Sequence, residues 1–341
     1  MKAVCYLKPG LELLERPEPR IKRPIDVKIK IAYASICGSD GHIVEGMHDY
    51  AYPDEKKPYI IGHESSGIIE ELGEGCGVKG LKVGDHIVFY FQLYCGKCRY
   101  CRNGKENLCA NIRTNMKGMS EYVVVDEQQV YKIPDGIPLR LACFAEPVSV
   151  CLRGIDLAEI SIGESVCIFG GGAIGLLSLQ LARLSGAGLL VLCEPVEEKR
   201  ALALELGADA VIDPTSEDFQ DRVRRITGGY GFDKVIECAG ISSAAPIAFE
   251  ALGRGGTLVY TSTHHPDYRM PLDLYSLFYK EATIRGVYQS PYAMNRAIAM
   301  LPHLVLDKLI TAQYPIENVK KAFADQKSGK HIKIVLSICE E

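Results

Sequence analysis

The stretch Gly170-Gly171-Gly172-Ala173-Ile174-Gly175 constrains this chain more than any other feature. Its G-x-G-x-x-G spacing lies between an apolar run at 166–169 and an apolar helical pattern at 173–185, the strand–turn–helix context that the motif requires. Gly170 permits a tight turn, Gly172 lets backbone approach a pyrophosphate, and Gly175 lets helix and strand pack closely. Ala173 and Ile174 begin a helix whose unpaired N–H groups face the phosphates. The next apolar run, 189–193, ends in Glu194. A carboxylate there accepts hydrogen bonds from ribose hydroxyls and repels a 2′-phosphate, so NAD is expected over NADP. Lys199 and Arg200 stand close by and leave some room for NADP, and Arg200 is a candidate cofactor contact.

The alternation of period continues downstream. Strand patterns at 210–213, 234–238, 257–261 and 283–287 are separated by helical patterns at 197–206 and 244–252. A doubly wound parallel sheet follows from this order, and the fold class is α/β. Residues 1–145 differ in character. Short apolar runs at 27–32, 66–72, 86–91 and 121–125, broken by Gly, Pro and Asp, predict a compact, mostly β domain. Segments 292–304 and 316–326 look helical, and 330–337 closes the chain with a strand pattern.

At 341 residues the chain can bury two cores. A net charge of −4 gives no electrostatic reason to expect nucleic acid or an anionic membrane as partner. No apolar run approaches the length that spans a bilayer, and the start of the chain is too short in its apolar part for a signal peptide. A cytoplasmic protein is expected. Its thirteen cysteines argue against a disulfide framework, being odd in number. Cys5, Cys143, Cys151, Cys167, Cys193, Cys238 and Cys339 sit singly in or beside apolar stretches and read as small hydrophobes. Cys76 has no assigned role.

Cys95, Cys98, Cys101 and Cys109 form C-x2-C-x2-C-x7-C in a segment poor in apolar residues. Four thiols this close fit a closed tetrahedral Zn2+ site of structural kind, and an iron–sulfur cluster is the main competitor. A second set is dispersed: Cys37 with Ser39, Asp40 and His42 in C-G-S-D-G-H, His63 and Glu64 in G-H-E, and Glu146 before Pro147. One Cys, one His and one or two carboxylates suit a catalytic Zn2+ with an open position. A core histidine and a salt-bridged glutamate explain His63 and Glu146 about equally well when each is taken singly.

These motifs together resemble the zinc-containing medium-chain alcohol dehydrogenases along essentially the whole chain. The signature is Gly62-His63-Glu64-Ser65-Ser66-Gly67 with Gly73 and Gly84-Asp85, followed by the four-cysteine lobe, the glycine turn and Glu194. Within that family, C-G-S-D at 37–40 and Glu146-Pro147 point to the sorbitol, galactitol-phosphate and threonine dehydrogenase group. The resemblance implies a GroES-like domain over 1–148 and 288–341, carrying both zincs, and a Rossmann domain over 149–287. Cys37 and His63 match inner zinc ligands. Glu64 matches a carboxylate that ligates the metal in some relatives and stands behind it in others, and Glu146 a group that binds directly or through water. Ser39 and His42 match a proton relay. The implied reaction is oxidation of a secondary alcohol (polyol, cyclitol or sugar-derived) by NAD, in a homodimer or homotetramer. A threonine 3-dehydrogenase-like activity is the alternative, and a non-catalytic NAD-binding protein is disfavoured by the intact ligands and relay. Gln289 and Ser290 replace the Arg-Tyr pair of sorbitol dehydrogenases, so any polyol is held differently. Residues 47–57, rich in aromatic and charged side chains, belong to a pocket mouth or to a solvated loop. His264 and His265 follow the fifth strand pattern without an assigned metal.

Overall fold

The computed structural model describes residues 1–7, 10–46, 57–77 and 80–340. Most of the aromatic, charged stretch at 47–57 therefore lies outside the described residues. The chain forms two compact units, Met1–Pro147 with Met294–Glu341, and Val148–Ala293.

The first unit is built on a largely antiparallel sheet. In spatial order its strands are Val130–Lys132, His86–Phe89, Glu64–Leu72, Asp26–Ser35, Lys333–Ser337 and Ile310–Pro315, and Tyr122–Asp126 also pairs with Asp26–Ser35. Alternation in Asp26–Ser35 sends Val27, Ile29 and Ile31 inward, where they meet Ile69, Ile87, Phe89, Val123, Val125, Ile334 and Leu336. Two registers matter for the site. Ser35 lies opposite Glu64 on one side and opposite Val335 on the other. The strand Lys333–Ser337 thus brings the end of the chain beside the G-H-E signature. Gly62, immediately before His63, has φ +93°, and a Cβ there would lie 2.4 Å from Met119 Cγ. Only glycine fits such a turn against a packed neighbour.

The second unit is a six-stranded parallel sheet with helices between the strands. Its order is Ala210–Ile212, Leu189–Cys193, Ser165–Phe169, Phe232–Glu237, Leu252–Tyr260, Thr283–Gly286. Numbered by sequence this is 3-2-1-4-5-6, one of the orders a doubly wound parallel sheet adopts. Helix Phe219–Ile226 supplies the crossover that the pattern left unmarked. The strand expected at 257–261 begins earlier, at Leu252. Its leading Gly253, Gly255 and Gly256 lie between the expected helix and the expected strand. There the chain passes so close to its neighbour that a Cβ on Gly253 would come within 2.6 Å of the Tyr230 carbonyl oxygen. The helix expected at 316–326 opens as a 3-10 turn, Ile316–Asn318, and becomes α-helical only at Val319–Lys327. None of the thirteen cysteines is disulfide-bonded. Burial pushes the thiols of Cys143 and Cys238 up to about 12, as for inert core residues. Among the described residues no helix is long and apolar enough to cross a membrane.

Candidate functional site

Cys37 ends the segment after strand Asp26–Ser35 and precedes the short helix Gly38–Val44, which carries Ser39, Asp40 and His42. Asp40 is buried and lies between this segment and His63. Its Oδ2 accepts the Cys37 backbone N–H at 2.9 Å, and its Oδ1 lies 3.2 Å from His63 Nδ1. With Nδ1 turned to a carboxylate, Nε2 of His63 is left for a metal, the arrangement by which a carboxylate fixes a ligating imidazole. The ring also packs against Phe91, 5.1 Å away.

The ligand atoms of Cys37, His63 and Glu64 lie within 4.8 Å of one another. Glu64, fully buried, has its two oxygens in different states. Oε2 accepts the Ser35 hydroxyl and pairs with the ammonium of Lys333, while Oε1 is buried without a hydrogen-bond partner. Glu146 opens helix Ala145–Ala158 and is buried, but falls outside this three-residue set. Its surroundings still mark it: burial first, and then Glu64, raise its carboxyl to about 7, with His63 and Lys333 pulling the other way. Burial would depress His63, yet Asp40 and Cys37 overcome it and hold the imidazole pKa well above its ordinary value. A thiol, an imidazole, an acceptor oxygen with no donor and a surplus of acids together suit a divalent cation. The residues present fit a catalytic zinc.

The four cysteines converge as their spacing requires. Sγ–Sγ separations are 3.5 Å for Cys98–Cys101 and 4.0 Å for both Cys95–Cys101 and Cys98–Cys109. Zn–S bonds of about 2.3 Å put tetrahedral sulfurs roughly 3.8 Å apart, so the set fits one ion. Backbone N–H groups already point at the sulfurs: Cys98 N at Cys95, and Asn111 N and Cys95 N at Cys109, each at 3.4 Å. Those of Lys97 and Cys98 lower the Cys95 thiol to about 6, which favours the thiolate a metal binds.

In the second unit the glycine turn joins strand Ser165–Phe169 to helix Ala173–Leu184, with Gly172 as its N-cap. Gly170 has φ +101°, and a Cβ on Gly175 would collide with the Gly170 carbonyl oxygen at 1.8 Å. A Cβ on Gly172, by contrast, would meet nothing within 4 Å. The turn thus closes on itself at its two ends and is open at its middle, as a phosphate cradle must be. Ala173 and Ile174 form the first helical positions. Glu194 follows the adjacent strand, and its Oε2 accepts the Gly171 N–H at 2.6 Å. The Arg200 guanidinium donates to the carbonyls of Glu194 and Pro195 at 2.7 and 2.6 Å, so it braces the loop that carries the acid. Of the pair that departs from sorbitol dehydrogenases, Ser290 is buried with its hydroxyl 2.7 Å from that of Ser149. Gln289 has φ +56° and a buried Oε1 without a hydrogen-bond partner.

Lys333 and Ser35 were not among the candidates from sequence, and Asp40 was quoted there in its motif without a role of its own. Asp40 stands inside the C-G-S-D motif and could have been singled out as the acid nearest an expected ligand. Lys333 is one lysine in an apolar strand, about 270 residues from Glu64, with no local signal of its role.

Comparison with known proteins agrees with this architecture. Residues 23–135 match the alcohol dehydrogenase GroES-like domain, and residues 173–302 match the zinc-binding dehydrogenase domain. An L-threonine 3-dehydrogenase of Pyrococcus horikoshii is 34% identical over 99% of both chains. A D-arabitol-phosphate dehydrogenase of Enterococcus avium is 31% identical, over 98% of this chain and 97% of that one. A solved structure from Sinorhizobium meliloti, described as a candidate zinc-binding dehydrogenase and bound to NADP, superposes with a TM-score of 0.88 at 29% identity, over 98% of each chain. Whole-length similarity of this order, with both domains in their expected order, leaves one conclusion: the chain belongs to the zinc-containing alcohol dehydrogenase family and is a zinc-binding dehydrogenase with a GroES-like and a Rossmann domain.

Proposed function

We propose that this dehydrogenase oxidises a secondary alcohol, of polyol, cyclitol or sugar-derived kind, to its ketone with NAD as hydride acceptor. The observation that carries the reading is the convergence of Cys37, His63 and Glu64 around a buried oxygen that lacks a donor. Cys37 and His63, with Glu64, Glu146 or water completing the shell, would hold a zinc ion there, whose chemistry when bound would be an electrophilic pull on the alcohol oxygen. Asp40 fixes the imidazole so that the ligand set is assembled before the metal arrives. Ser39 receives the proton of the alcohol and His42 delivers it to solvent. The backbone of Gly170, Gly172, Ala173, Ile174 and Gly175 cradles the pyrophosphate, Glu194 accepts the ribose hydroxyls, and Arg200 keeps the Glu194 loop in place. Glu194 favours NAD, because a carboxylate that accepts the ribose hydroxyls repels a 2′-phosphate. Cys95, Cys98, Cys101 and Cys109 hold the structural zinc.

The two compact units support a catalytic domain over 1–148 and 288–341 and a cofactor domain over 149–287 in outline, but they place Val148 and residues 288–293 with the second unit. Four cysteines gathered as a metal-binding set rather than spent in cross-links support a reducing, cytoplasmic location. The exposed edge strand of the parallel sheet supports a homo-oligomer. Likeness to the Pyrococcus threonine dehydrogenase favours a second reading, oxidation of L-threonine at its hydroxyl-bearing carbon. Absorbance of reduced cofactor, followed with NAD and NADP across polyols, cyclitols, sugar phosphates and L-threonine, before and after chelation, decides between them. Chelator-sensitive NADH formation with one polyol or sugar alcohol is expected. Turnover of L-threonine alone establishes the second reading, and zinc-loaded protein inert on every alcohol and matching ketone sinks both.

A further inference from the structure

We propose that Glu237 is a positioning residue that ties together, through Ser262 and His264, the two turns walling the nicotinamide half of the dinucleotide crevice. The inference rests on the dinucleotide reading of this unit.

Glu237 ends strand Phe232–Glu237 and is fully buried after the apolar Val235 and Ile236. Burying a carboxylate is costly unless its oxygens are hydrogen-bonded or paired. Here four donors meet it, two on each oxygen. Oε1 accepts the backbone N–H groups of Ala239 and Gly240 at 2.8 and 2.9 Å. Oε2 accepts the Ser262 hydroxyl and lies 3.2 Å from His264 Nε2. The first pair belongs to the turn after Glu237's own strand, and the second to the turn after the next strand, Leu252–Tyr260. The backbone joins the same two turns, since Thr261 donates both its N–H and its hydroxyl to the Glu237 carbonyl, at 2.9 and 2.7 Å.

The position of these turns gives the cluster its meaning. Ligands of a doubly wound sheet bind beyond the carboxyl ends of the strands, where the strand order reverses. That reversal falls between strands Ser165–Phe169 and Phe232–Glu237. The turn held by Oε1 abuts the glycine turn: a Cβ on Gly170 would lie 3.0 Å from Ala239 Cα, and the Cys238 N–H donates to the Phe169 carbonyl at 2.8 Å. Glu194 serves the half built on strands one to three. Glu237 ends strand four and clamps the turn after strand five, so it belongs to the other mononucleotide half.

The cluster also accounts for the paired histidines. His264 Nδ1 is buried without a hydrogen-bond partner. An imidazolium would bury an unpaired N–H there, so the neutral tautomer with hydrogen on Nε2 is the one that fits Glu237. Tyr268 stacks on the ring at 5.6 Å. His265 instead accepts the Asp267 N–H at 3.2 Å, and neither histidine belongs to a metal-binding group among the described residues.

An amide oxygen offers about half the acceptor sites of a carboxylate, so Glu237→Gln leaves two of the four donors without an acceptor at nearly constant volume. Calorimetric titration with NADH and with ADP, which carries only the adenosine half, reads the effect. Glu237→Gln is expected to weaken NADH about tenfold while ADP changes by no more than about twofold, with KM for the cofactor rising more than kcat falls. Ser262→Ala, which removes a single donor and leaves the carboxylate paired, is expected to show the same asymmetry to a smaller degree and stands in if Glu237→Gln does not fold. Equal weakening of NADH and ADP, or no change in either, overturns the proposal. Failure of the wild-type chain to bind NADH overturns the dinucleotide reading, and the proposal with it.

Discussion

Lys333 and Glu64 set the energetic character of the candidate metal centre. The lysine is 5% exposed and the glutamate 0%, so neither charge has water to fall back on. Such a pair contributes little over a well-packed apolar substitute, because its attraction largely repays desolvation. Its removal from one side is another matter. Lys333→Met is expected to cost about 3–5 kcal/mol in urea unfolding, since it leaves the Glu64 carboxylate buried and uncompensated. The double variant Lys333→Met with Glu64→Gln is expected to recover most of that loss, because no lone charge remains. Equal destabilisation in the single and double variants would show that packing, not charge, governs the site. The neighbouring Asp40 acts by orientation instead, accepting from the backbone of one ligand and fixing the ring of another.

Among the elements, the cysteine lobe depends most on its metal. Between strands Gln92–Leu93 and Arg113–Thr114 it contains only two 3-10 turns, Cys101–Asn103 and Glu106–Leu108. A segment so poor in apolar contacts relies on ligation for its shape. Cys98→Ser is expected to lose one equivalent of zinc and to open the lobe to trypsin at Lys97 and Arg99, while NADH affinity in the other unit stays unchanged. Unaltered zinc content would count against this site. The entry to strand Asp26–Ser35 gives a pH-dependent contribution. Asp26 accepts the N–H groups of Lys22 and Arg23 and pairs with the Arg23 guanidinium. Burial works against its ionisation, but these hydrogen bonds prevail and the carboxyl titrates below its usual value. A depressed pKa means stability that is present above the unfolded value of about 3.9 and is lost as pH falls through the folded value. The deficit of Asp26→Asn against wild type is therefore expected to be full near neutral pH and to shrink below about pH 4. A deficit independent of pH would mean that ionisation of Asp26 contributes nothing.

At the scale of the molecule, the parallel sheet ends in an edge that needs covering. Strand Thr283–Gly286 has a neighbour on one side only among the described residues, and the preceding helix, Leu274–Lys280, exposes Leu274, Tyr275, Phe278 and Tyr279. An exposed edge beside an apolar helix suits pairing with the same edge of a second copy across a two-fold axis. Light scattering at micromolar concentration is expected to give a multiple of the chain mass, and Phe278→Glu with Thr283→Pro a single chain. Wild-type protein at the mass of one chain would end the homo-oligomer reading.

The sequence by itself determined whatever depends on neighbours along the chain. Glycine spacing in the 170–175 turn, cysteine spacing in the 95–109 lobe and the alternation of apolar runs are local, because turn geometry, ion size and element period act over a few residues. Those features made the α/β class, a doubly wound parallel sheet and the single-ion cysteine set legible, while the strand order 3-2-1-4-5-6 came from the structure. Cys37, His63 and Glu64 were legible only as motifs, and their meeting within 4.8 Å required the pairing of two strands. Lys333 and the Glu237–His264 cluster were decided by tertiary structure alone. A buried charge acquires its role from the partner that relieves its desolvation, and that partner is chosen by sheet register and strand order rather than by distance along the chain.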